Sequence, residues 1–383
     1  MSPIQSQSAT KLSRASLIGL LSLVLLATLL MSVWPQKAEA QANQISLSAS
    51  RMPIKATMSA YYQQYNDGEK IINETSFPVS LMVPLSTKLS LGIWTSHASI
   101  GGDKIASLSG VADTQLLVSY VASVGNGSLV VSLGANLPSG KIELTTPEFD
   151  TAILLSQTAF NFRVPSYGHG FGLSPTLTWA IPVSSNLVLG LGAAYQHRSG
   201  YKPLEDFEDD YTPGNEILIT AGFDSRISSN TALSLDVTHS LYEADKIGEV
   251  EIFDSGNKTV VTAMIRRVTG FNELRLIMAY RTRAKSSELA GTELVTQEQR
   301  TVPNELVGRL SYSMRLNSTY TTTWVLGARS YDETAFYGSR QLVDIGVEPY
   351  VRLSDKMSLA TRFIYTLGSI DGFEGGLGLV VDF

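Results

Sequence analysis

The chain of 383 residues contains no cysteine, only four histidines and no excess of basic residues. Without cysteine there is no disulfide staple, no cysteine-ligated zinc or iron–sulfur centre and no thiol nucleophile. His97, His169, His197 and His239 are scattered and form no HExxH, so a histidine-rich metal site is not expected, and the sequence calls for no cofactor. No neighbouring serine and carboxylate pattern selects a catalytic set, and an enzyme is not expected. A net charge of −6 and a pI near 5.4 argue against nucleic acid as a partner, because phosphate binding needs a concentrated basic surface. Beyond residue 40 no uninterrupted apolar run reaches the length of a transmembrane helix. With 44% hydrophobic and 17% charged residues, the chain is nevertheless too apolar to be disordered.

Residues 1–40 read as a cleaved signal peptide. Lys11 and Arg14 precede the uncharged stretch Ala15–Trp34, and Ala38-Glu39-Ala40 supplies an A-x-A site. A retained single-span helix is the alternative. Removing Lys11, Arg14, Lys37 and Glu39 from 29 basic and 35 acidic residues leaves 26 and 34, or −8. Export to the cell envelope is the implied destination.

Residues 41–383 are read as one barrel domain, built on a period of two. Leu187, Leu189, Leu191, Ala193 and Tyr195 share one face, with Val188, Gly190, Gly192 and Ala194 opposite. Thr231–Leu241 and Gln341–Leu353 alternate in the same way, which is the strand period. Short turns (85–87, 125–127, 184–186, 228–230, near Gly270, 317–318 and 354–355) alternate with longer polar loops (99–110, 138–168, 200–214, 244–257, 285–301 and 332–339). That alternation predicts an all-β fold, an antiparallel transmembrane β-barrel of 14–16 strands, with sixteen counted. The predicted strands begin near Ile54, Ile71, Lys88, Val111, Ser128, Gly170, Asn186, Glu216, Thr231, Lys258, Phe271, Glu305, Tyr320, Gln341, Lys356 and Phe373. A soluble β-sandwich or propeller accounts for neither the loop asymmetry nor the apolar faces. The terminal strand closes on Leu377, Leu379, Val381 and Phe383, an ending by which outer-membrane proteins are recognised by their assembly machinery.

Phase then assigns the two faces. Phe77, Leu81, Tyr120, Trp179, Tyr195, Tyr280, Tyr312, Trp324, Phe363 and Tyr365 are expected to face lipid, where aromatics anchor at the interfaces beside lipopolysaccharide. Inward positions of the N-terminal half are mostly small or apolar. Those of the C-terminal half carry charge, among them Asp236, Arg275, Arg309, Arg329, Asp344, Glu348, Arg352 and Arg362, expected to line the lumen. They form either a charge filter or a set of ion pairs bracing the wall.

The loop Pro138–Gly168 stands apart. Thr145 and Glu148 have capping-box spacing, Pro147 fits a first helical turn, and Ala152, Ile153 and Ser156 with Phe149 and Phe160 would make one helical face. So apolar a helix should fold into the barrel mouth. Phe149, Ile153, Leu154 and Phe160 are the candidate solute-binding residues, and a constriction loop packed on the wall is the alternative. Glu205, Asp206, Glu208, Asp209 and Asp210 make an acidic loop tip without EF-hand spacing.

Two stretches suggest a family. Gly110-Val111-Ala112-Asp113 precedes a strand that ends Leu137-Pro138-Ser139-Gly140, and Gly170-Phe171-Gly172-Leu173-Ser174-Pro175 follows. In these the chain resembles the FadL-like fatty-acid channels and the related barrels associated with degradation of aromatic compounds. The resemblance implies passive uptake of small hydrophobic or aromatic compounds across the outer membrane of a Gram-negative cell. Those channels carry an N-terminal hatch, for which the dozen or so residues before the first strand leave little room; the Phe149–Phe160 segment would occlude the pore instead. A general porin for hydrophilic solutes and a structural or surface-binding barrel remain the alternatives.

Overall fold

A computed structural model describes residues 53–206 and 208–383. The expected signal peptide, residues 1–40, lies outside the described residues. Sixteen staves form one closed antiparallel barrel: β1 (Lys55–Asn66), β2 (Ile71–Pro84), β3 (Leu89–Gly102), β4 (Leu108–Val111 continuing as Thr114–Val124), β5 (Gly127–Leu137), β6 (Gly172–Ser184), β7 (Leu187–Arg198), β8 (Glu216–Ser228), β9 (Thr231–Tyr242), β10 (Lys258–Thr269), β11 (Asn272–Arg283), β12 (Glu305–Arg315), β13 (Tyr320–Tyr331), β14 (Arg340–Arg352), β15 (Met357–Gly368) and β16 (Asp371–Asp382). Each stave pairs with its neighbours in sequence, and β1 pairs with β16 from Lys55↔Asp382 to Asn66↔Asp371, which closes the ring. The two segments of β4 both pair with β3 and are separated by Ala112-Asp113. The count is therefore sixteen, and each strand starts within a few residues of its predicted position.

Closure follows from the sequence pattern. Apolar residues at every second position need a face away from water, and a closed sheet leaves no unpaired edge. At about 3.3 Å rise per residue and about 40° of tilt, staves of this length cross the ~25 Å apolar band of a transmembrane barrel. Of the ten residues expected to face lipid, all but Leu81 are exposed on the outer surface, and Leu81 is half-buried. They belong to a belt with Leu133, Leu177, Leu191, Ile219, Ile345 and Leu377. An exposed apolar belt of that extent marks a lipid contact rather than a soluble surface.

One end of the barrel carries only tight turns. Leu85 and Ser86 donate to the carbonyl of Leu89, and Leu316 and Asn317 to that of Tyr320. Both described ends of the chain sit there. The other end carries the long connections, three of which build a five-stranded sheet from Tyr211–Thr212, Asp245–Ile247, Val250–Asp254, Ser287–Ala290 and Glu293–Thr296. A cluster of buried apolar residues sits to one side of the barrel. It joins Tyr65, Ile72, Ala98, Ile100, Tyr331 and Leu342 of the wall to Leu155, Phe160, Phe162 and Tyr167 of the β5–β6 loop.

Candidate functional site

The site is the lumen, narrowed by the β5–β6 loop. Its stem is tied by one carboxylate. Asp113, at the break in β4, accepts the Gly140 amide on Oδ1 at 2.9 Å and the His169 amide on Oδ2 at 2.8 Å, so both ends of the loop converge on it. Asn136 Nδ2 donates to the same carboxylate at 2.6 Å and to the Gly170 carbonyl at 2.7 Å. The stem is so close that a Cβ on Gly140 would lie 1.9 Å from the Tyr167 carbonyl oxygen, which only glycine avoids. The two short motifs singled out in the sequence, ending at Asp113 and Gly140, therefore meet in space.

Beyond the stem the loop forms helix α1 (Thr146–Leu155), with Pro147 in its first turn and the expected capping box. Glu148 accepts the Thr145 amide at 3.1 Å and pairs with Lys141 at 2.6 Å. The Lys141 ammonium, above all, holds the Glu148 carboxyl below its ordinary pKa. The helix ends five residues short of Phe160. Ser156 is its C-cap, with Oγ donating to the Ile153 carbonyl at 2.7 Å. Thr151 and Leu155, one turn apart, are its buried face, and Thr151 Oγ1 donates to the Ala106 carbonyl at 3.0 Å. This corrects the expected face: Ile153 is 52% exposed, and Phe160 is not on the helix at all.

Phe160 instead anchors the loop tip. It is completely buried, with its ring centroid 5.9 Å from Tyr65 and 5.7 Å from Phe162. The backbone around it is held by wall side chains one after another. Tyr331 donates to the Thr158 carbonyl at 3.2 Å and Arg329 to the Ala159 carbonyl at 2.9 Å. Gln63 clasps the reversal at Asn161, donating to the Asn161 carbonyl at 3.1 Å and accepting the Arg163 amide at 2.8 Å. Glu74 accepts the Val164 amide at 3.2 Å, and the Arg163 side chain pairs with Glu374. Asn161 takes the left-handed conformation, φ 55°, which asparagine tolerates better than most residues. Of the other candidate solute-binding residues, Phe149 and Leu154 are half-buried against this cluster.

The charged residues at inward positions of the C-terminal half pair with one another. Arg329 meets Asp344 through two bonds of 2.8 Å, and Thr366 Oγ1 donates to the same carboxylate at 2.7 Å. Glu348 is shared by Arg309, at 2.8 Å, and Arg362; Arg362 also reaches Glu374 at 2.6 Å. The result is a chain of charges, Arg309–Glu348–Arg362–Glu374–Arg163, that runs from the wall into the loop. Arg275 is 3.5 Å from Glu273, and Asp236 is exposed to the lumen next to Gly222. Arg352, at an inward position, is the last residue of β14 and lies exposed at the turn-end rim.

Between the loop tip and this wall lies a recess of about 370 Å³, lined in part by Leu155, Phe162, Arg281, Arg309, Arg329 and Glu305. On the far side of the lumen the inward positions of β6–β9 include the small or hydroxylic residues Thr176, Thr178, Gly190, Gly192, Thr220 and Thr238, together with Asp224 and Asp236. Thr220 and Thr238 bond to each other at 2.9 Å across the strands, and Thr178 is exposed. The tip contacts described above leave that side uncovered.

The sequence reading does not single out Gln63, Glu74, Arg163 or Glu374. Gln63 and Glu74 do stand out as long polar side chains at inward positions of an otherwise small-lined half, which is the one local signal of their role.

No protein-family model and no curated protein matches the chain. Among solved structures it is similar to a bacterial polysaccharide outer membrane secretin, at a TM-score of 0.49 and 10% identity over 87% of this chain and 99% of that one. OprD of Pseudomonas aeruginosa gives 0.42 and 11% over 88% and 98%. An outer membrane channel of Pseudomonas putida F1 gives 0.40 and 10% over 92% and 100%. At TM-scores this low, none of them bears on what the lumen passes.

Proposed function

We propose that the chain is a passive outer-membrane channel for small polar solutes. The observation that carries this reading is the position of the β5–β6 loop. It is pinned along one wall of a closed, apolar-belted barrel and narrows the lumen while the hydroxylic wall stays uncovered. A lipid-facing belt requires a bilayer, and in barrels of this type the long loops lie outside the cell and the tight turns in the periplasm. Both ends of the barrel chain are then periplasmic. Phe383 is 65% exposed just past the final strand, with its amide bonded to the Ile54 carbonyl at 2.9 Å, and is available to the assembly machinery before insertion. No chemical step is required: solutes move down their gradients past the constriction.

Uptake of hydrophobic or aromatic compounds, which the family resemblance implies, is the second reading. Exposed Ile153, with half-buried Leu154 beside it, favours it. Such a route would run along α1, because Phe160 is sealed against the wall.

Single-channel recording in planar bilayers tests the proposal. The expected result is steady current proportional to salt. A demonstrably folded barrel that passes no ions, yet binds fatty acid or detergent, would replace it with the hydrophobic reading.

A further inference from the structure

The positive charge of the lumen is concentrated on three adjacent staves. Lipid-exposed Ile265, Tyr280 and Tyr312 fix the phase of β10, β11 and β12, and their inward positions carry seven basic residues against Glu273 and Glu305. Besides Arg275, Arg281 and Arg309, these are Lys258 and Arg283 at the loop end, Arg266 nearer the turn end, and Arg315 at the last position of β12. The stripe therefore runs the whole height of the barrel. It does so in a chain whose net charge is −6.

Four of the seven meet carboxylates, Lys258 at Glu216, Arg275 at Glu273, Arg281 at Glu305 and Arg309 at Glu348, yet basic residues still outnumber acidic ones on these staves. Arg266 and Arg275 stand directly opposite each other in the β10–β11 register, with Glu273 acting on both, so this part of the stripe holds two positive charges to one negative. Arg283 donates to the Ser255 carbonyl at 3.2 Å and to the Tyr242 hydroxyl at 3.3 Å, and its guanidinium lies 4.8 Å from the Tyr242 ring centroid. Arg315 donates to the Asn317 carbonyl at 3.1 Å and lies 5.3 Å from the Phe271 ring centroid. These partners satisfy hydrogen-bonding groups but leave the charge standing. Among the described residues neither arginine meets a carboxylate. An excess of positive charge between low-dielectric walls focuses its field into the water-filled space.

We propose that this stripe makes the channel selective for anions, and that its solutes are small organic anions, carboxylates above all, for which arginine offers paired donors. The inference rests on the channel reading above. Arg281 and Arg309 belong both to the stripe and to the recess beside the loop tip, so an anion following the stripe is delivered to the constriction.

The test is the reversal potential of the purified barrel in a planar bilayer under a potassium chloride gradient. Chloride should be preferred over potassium by about tenfold at low ionic strength, the low end of the enrichment a single-sign cleft gives. The preference should shrink as salt rises, since screening acts over about 10 Å at 0.1 M. The double variant R283Q/R315Q breaks no ion pair, so the barrel should fold, and its chloride preference should fall. A wild-type preference for potassium, no preference, or an unchanged ratio in the variant would each overturn the inference while leaving the channel reading intact. A folded barrel without current would overturn both.

Discussion

Phe160→Ala is the most direct probe of how the lumen is narrowed. The ring is fully buried between Tyr65 and Phe162, with the Arg340 guanidinium 5.5 Å from its centroid. Truncating a buried phenylalanine costs about 3–5 kcal/mol in transfer and cavity terms. Here that cost falls on loop docking, because Phe160 makes none of the barrel's strand-to-strand bonds. At tenfold per 1.4 kcal/mol, even the low end raises the ratio of undocked to docked loop roughly 150-fold. Gln63, Glu74, Arg329 and Tyr331 still hold the backbone on either side, so the expected result is intermittent release rather than permanent loss. Single-channel traces should show added steps to a higher conductance, while urea unfolding of the barrel moves little. Ile153→Ala serves as the control: at 52% exposure it should change docking by no more than about 0.5 kcal/mol. If F160A and I153A gave equally quiet traces, the assignment of Phe160 as the anchor would be wrong.

Three further outcomes follow from the same geometry. Asp113→Ala removes the carboxylate that holds Gly140, His169 and Asn136, at about 1.5–3 kcal/mol for each charge-assisted bond, and should speed proteolytic nicking of the 138–171 loop without dissolving the barrel. Glu148 has a lowered pKa when folded, so its contribution is fully present above the ordinary carboxylate value near 4.5 and is lost as pH falls through the folded value. Protection factors of the Thr145 and Phe149 amides should therefore be high at neutral pH and fall only in acid below that point, and Lys141→Met should move the fall to higher pH. Leu191→Arg places a charge at a lipid-facing position that is 50% exposed, and should cost about 2–4 kcal/mol in unfolding measured in bilayers; no measurable cost would misplace the membrane belt.

How much of this could be read beforehand depended on the range of the interaction. A strand's faces are set by its own alternation, so Arg275 could be placed inward from Leu274 and Leu276 alone. The tight turns belong to the same local grammar, and so does the capping box at Thr145 and Glu148. The destination of the loop tip is different. Arg163 finds Glu374 at a separation of 211 residues, and Arg329 reaches Ala159 across 170. Nothing near Phe160 in sequence distinguishes an anchor driven into the wall from an exposed capture residue, because both ask for a large apolar side chain. Helix α1 also stops at Leu155, since the Ser156 hydroxyl turns back onto Ile153, and this removed Phe160 from the face on which periodicity had put it.

The ring closure also sets an order of assembly. β1 cannot find its second partner until the last residues of the chain have been made, and the loop tip depends on Glu374 of that same final strand. Arg329, Asp344 and Tyr331, which receive the tip or brace its receptor, also lie in the last third of the sequence. The constriction is therefore the latest feature to appear: a chain halted before β16 would have neither a sealed wall nor a docked loop. Contacts this distant make closure slow. Until it is complete, the future lipid belt and the strand edges remain exposed together, so the chain must be kept from aggregating through its whole passage to the membrane.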